Sequence, residues 1–168
     1  EGDEVSEAEI ADLRENSDTR RAKDKALTFL SLRAYGSAEL YDKLCRSFDE
    51  HTAAAAVAEM ARLGLLDDAA FARRRAVYLH GQRKSLWEIR QKLLALGLDR
   101  ELVEDALAAL PQDEGGAIRG VIEKQYLSKL ARGETEKVVA ALARRGFSAR
   151  EARAAVAEFL SDPETAGD

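Results

Sequence analysis

The stretch Ser85-Leu86-Trp87-Glu88-Ile89-Arg90-Gln91-Lys92-Leu93-Leu94-Ala95-Leu96-Gly97 decides the fold. Leu86, Ile89, Leu93 and Leu96 recur at steps of three, four and three, which is one apolar stripe along a helix. Ser85 and Glu88 form a capping box: the serine oxygen takes an orphan amide and the glutamate reaches back to the cap. Gly97 closes the segment, because glycine enters the left-handed conformation cheaply. A short amphipathic helix with marked ends is therefore legible in thirteen residues.

The same element returns 49 residues to either side. Leu40 and Leu44 precede Ile89 and Leu93 by that spacing, and Val138 and Leu142 follow by it. Phe29, Tyr78 and Leu127 share the spacing, as do Gly97 and Gly146. Val103, Ala106, Leu107 and Leu110 correspond to Ala152, Ala155, Val156 and Phe159, and to Ala53, Ala56, Val57 and Met60 with a one-residue shift. A fixed period of this length marks a repeat protein. The expected architecture is all-α: three tandem three-helix repeats of about 49 residues forming an elongated array, because a small unit buries little core alone and leans on its neighbours.

The boundaries follow. Residues 1–21 form an acidic N-terminal extension, 22–64 repeat 1, 65–112 repeat 2, 113–160 repeat 3 and 161–168 an acidic, disordered tail. Helices are expected over 22–35, 38–47 and 52–63, then 68–80, 86–96 and 100–110, then 115–131, 135–145 and 149–160. Ser37, Asp67 and Asp99 are the expected N-caps, and Ser148 with Glu151 repeats the capping box. Gly64 and Gly146 are expected stops, and Pro111 closes the second copy. Ser6 and Glu9, with Val5, Ile10 and Leu13, predict a weak helix ahead of repeat 1.

Function classes narrow by absence. Two histidines, His51 and His80, and one cysteine, Cys45, have no metal-ligand spacing. Gly115-Gly116 lacks the Lys-Ser/Thr of a phosphate loop. Asp67 and Asp68 read as helix-start acids, Cys45 as a small buried apolar residue, and Trp87 and Tyr78 as core. The expectation is a protein that is not an enzyme and has no cofactor and no metal. With no apolar run of membrane-spanning length and no signal-peptide pattern, a cytoplasmic, membrane-free monomer is expected.

Charge is placed in blocks. The net charge is −5, yet residues 1–20 alone carry −6 and residues 161–168 carry −3, so residues 21–160 are basic. Residues 73–100 carry +6 and residues 119–153 carry +5, separated by the acidic 101–118. Unpaired positive charge raises the local concentration of anions, so an acidic protein groove or a nucleic-acid backbone suits these blocks.

Two further stretches resemble a known family. Arg33-Ala34-Tyr35-Gly36-Ser37-Ala38-Glu39-Leu40, followed by Leu44, is similar to the opening motif of the RecX regulatory proteins. So is Gly64-Leu65-Leu66-Asp67-Asp68-Ala69-Ala70-Phe71-Ala72, and residues 81–90 with Leu93 and Gly97-Leu98 resemble the central motif. The resemblance covers about residues 22–160, and that family's fold is likewise three tandem three-helix repeats. One departure stands out. Where the family has a second glycine shortly after Gly81, this chain has Arg83, Lys84 and Ser85.

The resemblance implies a regulator that binds the RecA–DNA filament in its helical groove. It would restrain filament growth, strand exchange, ATP hydrolysis and the co-protease role in the SOS response. An array spanning several protomers would combine weak contacts through effective concentration. Arg73, Arg74, Arg83, Lys84, Arg90, Lys129, Lys137, Arg144 and Arg145 are the expected filament-binding residues. Two alternatives stay open. A direct DNA-binding protein, on single- or double-stranded DNA, would need a recognition helix rich in Arg, Asn and Gln; the candidate helices offer Arg150 and Arg153, or Arg100, with no Asn or Gln among them. A helical adaptor would bind another protein with nucleic acid irrelevant.

Overall fold

The computed structural model describes residues 6–112 and 114–161, and among these every regular element is a helix. Ten helices run in order: α1 Glu7–Leu32, α2 Ser37–Leu44, α3 Glu50–Arg62, α4 Asp68–Gly81, α5 Leu86–Ala95, α6 Arg100–Ala108, α7 Gly115–Gln125, α8 Leu127–Ala131, α9 Thr135–Arg144 and α10 Ala149–Ser161. The chain divides into two compact units, one reaching Phe71 and including Leu96–Leu98, the other holding Ala72–Ala95 and Asp99 onward.

In the first unit α1, α2 and α3 pack on one another around Ala22, Ala26, Leu40, Leu44, Ala53, Ala56, Met60 and Tyr35. Burying a side chain such as Leu40 or Leu44 stabilises the unit by about 2 kcal/mol each. In the second unit Ile89, Leu93, Val103, Ala106 and Leu107 are buried on α5 and α6. Around Val138, Leu142, Val156 and Phe159 a further core joins α7, α8, α9 and α10. The apolar positions picked out by the 49-residue period are thus largely the cores.

Four expectations about local structure change. The weak helix starting at Ser6, with its capping box, is continuous with the first helix of repeat 1, so α1 spans 26 residues. Val5 and residues 162–168 of the expected tail lie outside the described residues. The helix expected over 115–131 breaks at Tyr126, whose backbone (φ −125°, ψ 1°) ends α7 and opens α8. Tyr78 and Trp87 are not core: they are 55% and 52% exposed, and Leu127 at the same repeat position as Tyr78 is exposed too. Cys45 is half-buried rather than buried.

The caps are more instructive. Gly64, Gly97 and Gly146 take positive φ as expected, and Gly133 does the same after α8. Asp67 caps α4 through the Ala70 amide. Asp99 stands at the N-cap of α6 without a side-chain cap bond. Ser37 is inside α2 rather than its cap: Gly36 holds that place, and the Ser37 amide donates to Asp68 Oδ1 at 2.7 Å. Ser85 accepts from the Glu88 amide, but the Glu88 carboxylate turns to Lys84 at 2.8 Å.

Candidate functional site

The family-like motifs of residues 33–40 and 64–72 meet at one joint. Asp68 accepts from the first amide of α2. The Phe71 ring lies against Gly36, where a Cβ would sit 3.3 Å from it. Gly97 abuts Ala38, where a Cβ would come within 2.6 Å of the alanine methyl. Arg33 lies 3.6 Å from the centre of the buried Tyr35 ring and pairs with Glu39. These residues hold helices together, which explains why they form a recognisable sequence signature.

A second joint repeats the first, displaced by 49 residues. Gly36, Ala38, Phe71 and Gly97 become Ser85, Trp87, Gly120 and Gly146. Gly146 abuts Trp87, the partner position of Ala38. The first amide of α5, on Leu86, is again capped by a carboxylate at the start of the next helix, here Glu114 at the N-cap of α7, at 2.8 Å. Ser85 Oγ donates to the Arg145 carbonyl at 2.7 Å.

The filling differs. Gly120 stands where Phe71 would, and the Arg83 guanidinium occupies the space, donating to the Gly120 carbonyl. Arg83 has φ +60°, the one positive φ at a non-glycine residue among the described residues. Its amide bonds His80 and the Lys84 amide bonds Leu79, the pattern that glycine normally completes after a helix. Putting arginine there costs about 1 kcal/mol of backbone strain. Beside it opens a pocket of about 340 Å³ lined by Gln82, Arg83, Gly120, Lys124, Gln125 and Arg145 among others, with no carboxylate in its wall.

The nine expected contact residues sort by their partners. Arg73, Arg74 and Arg144 are exposed and have no ion-pair partner among the described residues. Lys84 pairs with Glu88. Lys137 pairs with Glu134 at 3.4 Å. Arg90 makes a two-pronged bond to Glu104 at 2.7 and 2.9 Å. That bond holds the Glu104 carboxyl below the usual glutamate range and raises the Arg90 guanidinium. Lys129 sits 5.6 Å from the centre of the Tyr126 ring. Arg83 and Arg145 line the pocket, and Arg145 also donates to Gln125 at 2.9 Å. Paired cations present less charge to a partner than free ones. Lys124 is absent from the expected set. A lone lysine in α7 gives no signal until the fold brings it to Arg83 and Arg145.

Helices packed in small groups and carrying exposed cations define the class: an all-helical protein. Two family models match the chain, that for the first three-helix domain of RecX over residues 22–60 and that for the second over residues 67–107. The regulatory protein RecX of Vibrio campbellii is 33% identical over 137 residues, covering 77% of this chain and 86% of that protein. That of Mycobacterium ulcerans is 33% identical over 147 residues, covering 80% and 82%. That of Prosthecochloris aestuarii is 29% identical over 154 residues, covering 88% and 99%. The chain belongs to the RecX family of regulatory proteins. A crystal structure of regulatory protein RecX shares its fold, with a TM-score of 0.77 at 22% identity over 90% of this chain and 77% of that one. No helix among the described residues is long and apolar enough to cross a membrane.

Proposed function

We propose that this chain is a cytoplasmic regulator that binds the RecA–DNA filament and restrains its ATP hydrolysis, strand exchange and co-protease activity, without catalysing a reaction itself. The observation that carries this reading is the set of unpaired, exposed arginines, Arg73, Arg74 and Arg144, on a chain of a regulatory family. Free guanidiniums suit the carboxylates and phosphates that a protein–DNA filament offers. The paired cations Lys84, Arg90 and Lys137 contribute less, because their neighbours already neutralise them.

The test is the DNA-dependent ATPase rate of RecA, titrated with this protein far below one copy per protomer. A fall at those ratios is expected. The triple variant Arg73→Glu, Arg74→Glu, Arg144→Glu should weaken filament binding by more than about tenfold with an unchanged helical circular dichroism signal. Full ATPase at every ratio, with tight binding to bare duplex, would replace this reading with direct DNA binding.

A further inference from the structure

The pocket at the second joint goes beyond filament binding as such. At the first joint the same framework is closed by an aromatic plug, Phe71 against Gly36. At the second, three plug-side positions have changed in kind. Gly120 replaces Phe71, Arg83 stands where Ala34 does and Arg145 where Leu96 does, while Lys124 keeps the positive charge of Arg75. A glycine at 83 would satisfy the backbone at lower cost, so the arginine's side chain is what distinguishes the position. Its guanidinium has five N–H donors and its bond to Gly120 uses one. Arg145 spends one on Gln125. Lys124 is exposed and has no partner among the described residues. Three cations therefore face one opening with donors to spare and no acid to neutralise them.

We infer that this pocket is a phosphate-binding subsite that takes one phosphodiester of a single-stranded nucleic acid. Three converging cations suit the several oxygens of a phosphate better than the two of a carboxylate. A second observation favours nucleic acid over an acidic peptide. The half-exposed Trp87 indole rests on Gly146, the residue after Arg145, so an aromatic face borders the same segment as the pocket. Aromatic faces beside a cationic groove are how single strands are held without sequence preference, each stacked base adding about 1–3 kcal/mol.

Trp87 is the single tryptophan, so its fluorescence reads the site in the full chain. The experiment titrates the protein with a short oligothymidylate at low salt, then competes with inorganic phosphate, with polyglutamate as a parallel ligand. Expected are a Trp87 signal on oligothymidylate binding and its reversal by phosphate. Lys124→Glu should weaken binding by about tenfold or more, while Arg46→Glu, an equal charge change at an exposed position outside the pocket, shifts it within about twofold. The pair Arg83→Ala with Gly120→Phe, which copies the first joint, should keep the urea midpoint and abolish binding. Equal losses from Lys124→Glu and Arg46→Glu would overturn the site, as would absence of binding. Tighter, Lys124-dependent binding of polyglutamate would overturn it in favour of a carboxylate partner. RecA plays no part in this assay, so its failure and that of the filament reading are separable.

Discussion

At Gly36 an aromatic ring closes the joint; at Ser85, 49 residues on, a glycine and an arginine leave it open and charged. What the two joints share is backbone. A C-terminal glycine of one middle helix presses on the second residue of the preceding middle helix, Gly97 on Ala38 and Gly146 on Trp87. A carboxylate at the start of the next first helix caps the preceding middle helix, Asp68 on Ser37 and Glu114 on Leu86. The scaffold is set by those contacts, and the side chains filling the space beside them are free to differ. One joint spends that freedom on packing and the other on charge.

The largest expected effect tests the packing side. Phe71→Ala removes a ring that is 8% exposed and should cost about 3–4 kcal/mol in urea unfolding. A cost below about 1 kcal/mol would mean the ring is not a plug. Next come the glycines. Gly97→Ala and Gly146→Ala both force a side chain into a left-handed backbone, at φ +75° and +88°. At Gly97 the new methyl meets Ala38 Cβ, which moves only with its helix. At Gly146 it meets the Trp87 ring, which is half-exposed and can turn, and the Ser85 hydroxyl, which is buried and bonded to the Arg145 carbonyl. Gly97→Ala should cost about 3 kcal/mol and Gly146→Ala about 2. Equal costs would show that φ alone decides, and that the close approach is incidental.

The caps give the smallest difference. Asp68→Ala and Glu114→Ala each remove an acceptor from a helix-start amide and should cost about 1 kcal/mol apiece. If Glu114→Ala is silent in thermal melts while Asp68→Ala is not, the second joint is held by Ser85 and Arg83 instead, and the equivalence of the two joints is narrower than their geometry.

Much of the scaffold was readable because period and punctuation are local. Leu40, Ile89 and Val138 announce the middle helices, and Gly97 and Gly146 their ends. Tyr78 and Trp87 misled because large aromatics usually pack inside, whereas here Arg75 lies 5.3 Å from the centre of the Tyr78 ring in solvent. The break at Tyr126 carries no glycine or proline to mark it. The site was harder. Charge blocks name cations without their partners, so Arg90 and Arg73 look alike in sequence although one is held by Glu104 and the other is free. Lys124 acquires meaning only from residues about 20 and 40 positions away.

The corresponding position on the third middle helix is filled with charge. Following the period once more, the place of Ser37 and Leu86 falls to Thr135, and that of Ala38 and Trp87 to Glu136. Glu134 there is bonded to Arg132 and to Lys137, which together hold its carboxyl below the usual glutamate range, and Glu136 pairs with Arg153. A further copy seating its glycine on this spot would have to strip water from a charged cluster. Head-to-tail polymerisation, the standing hazard of an open-ended interface, is thereby made unfavourable at α9 by a few charged residues.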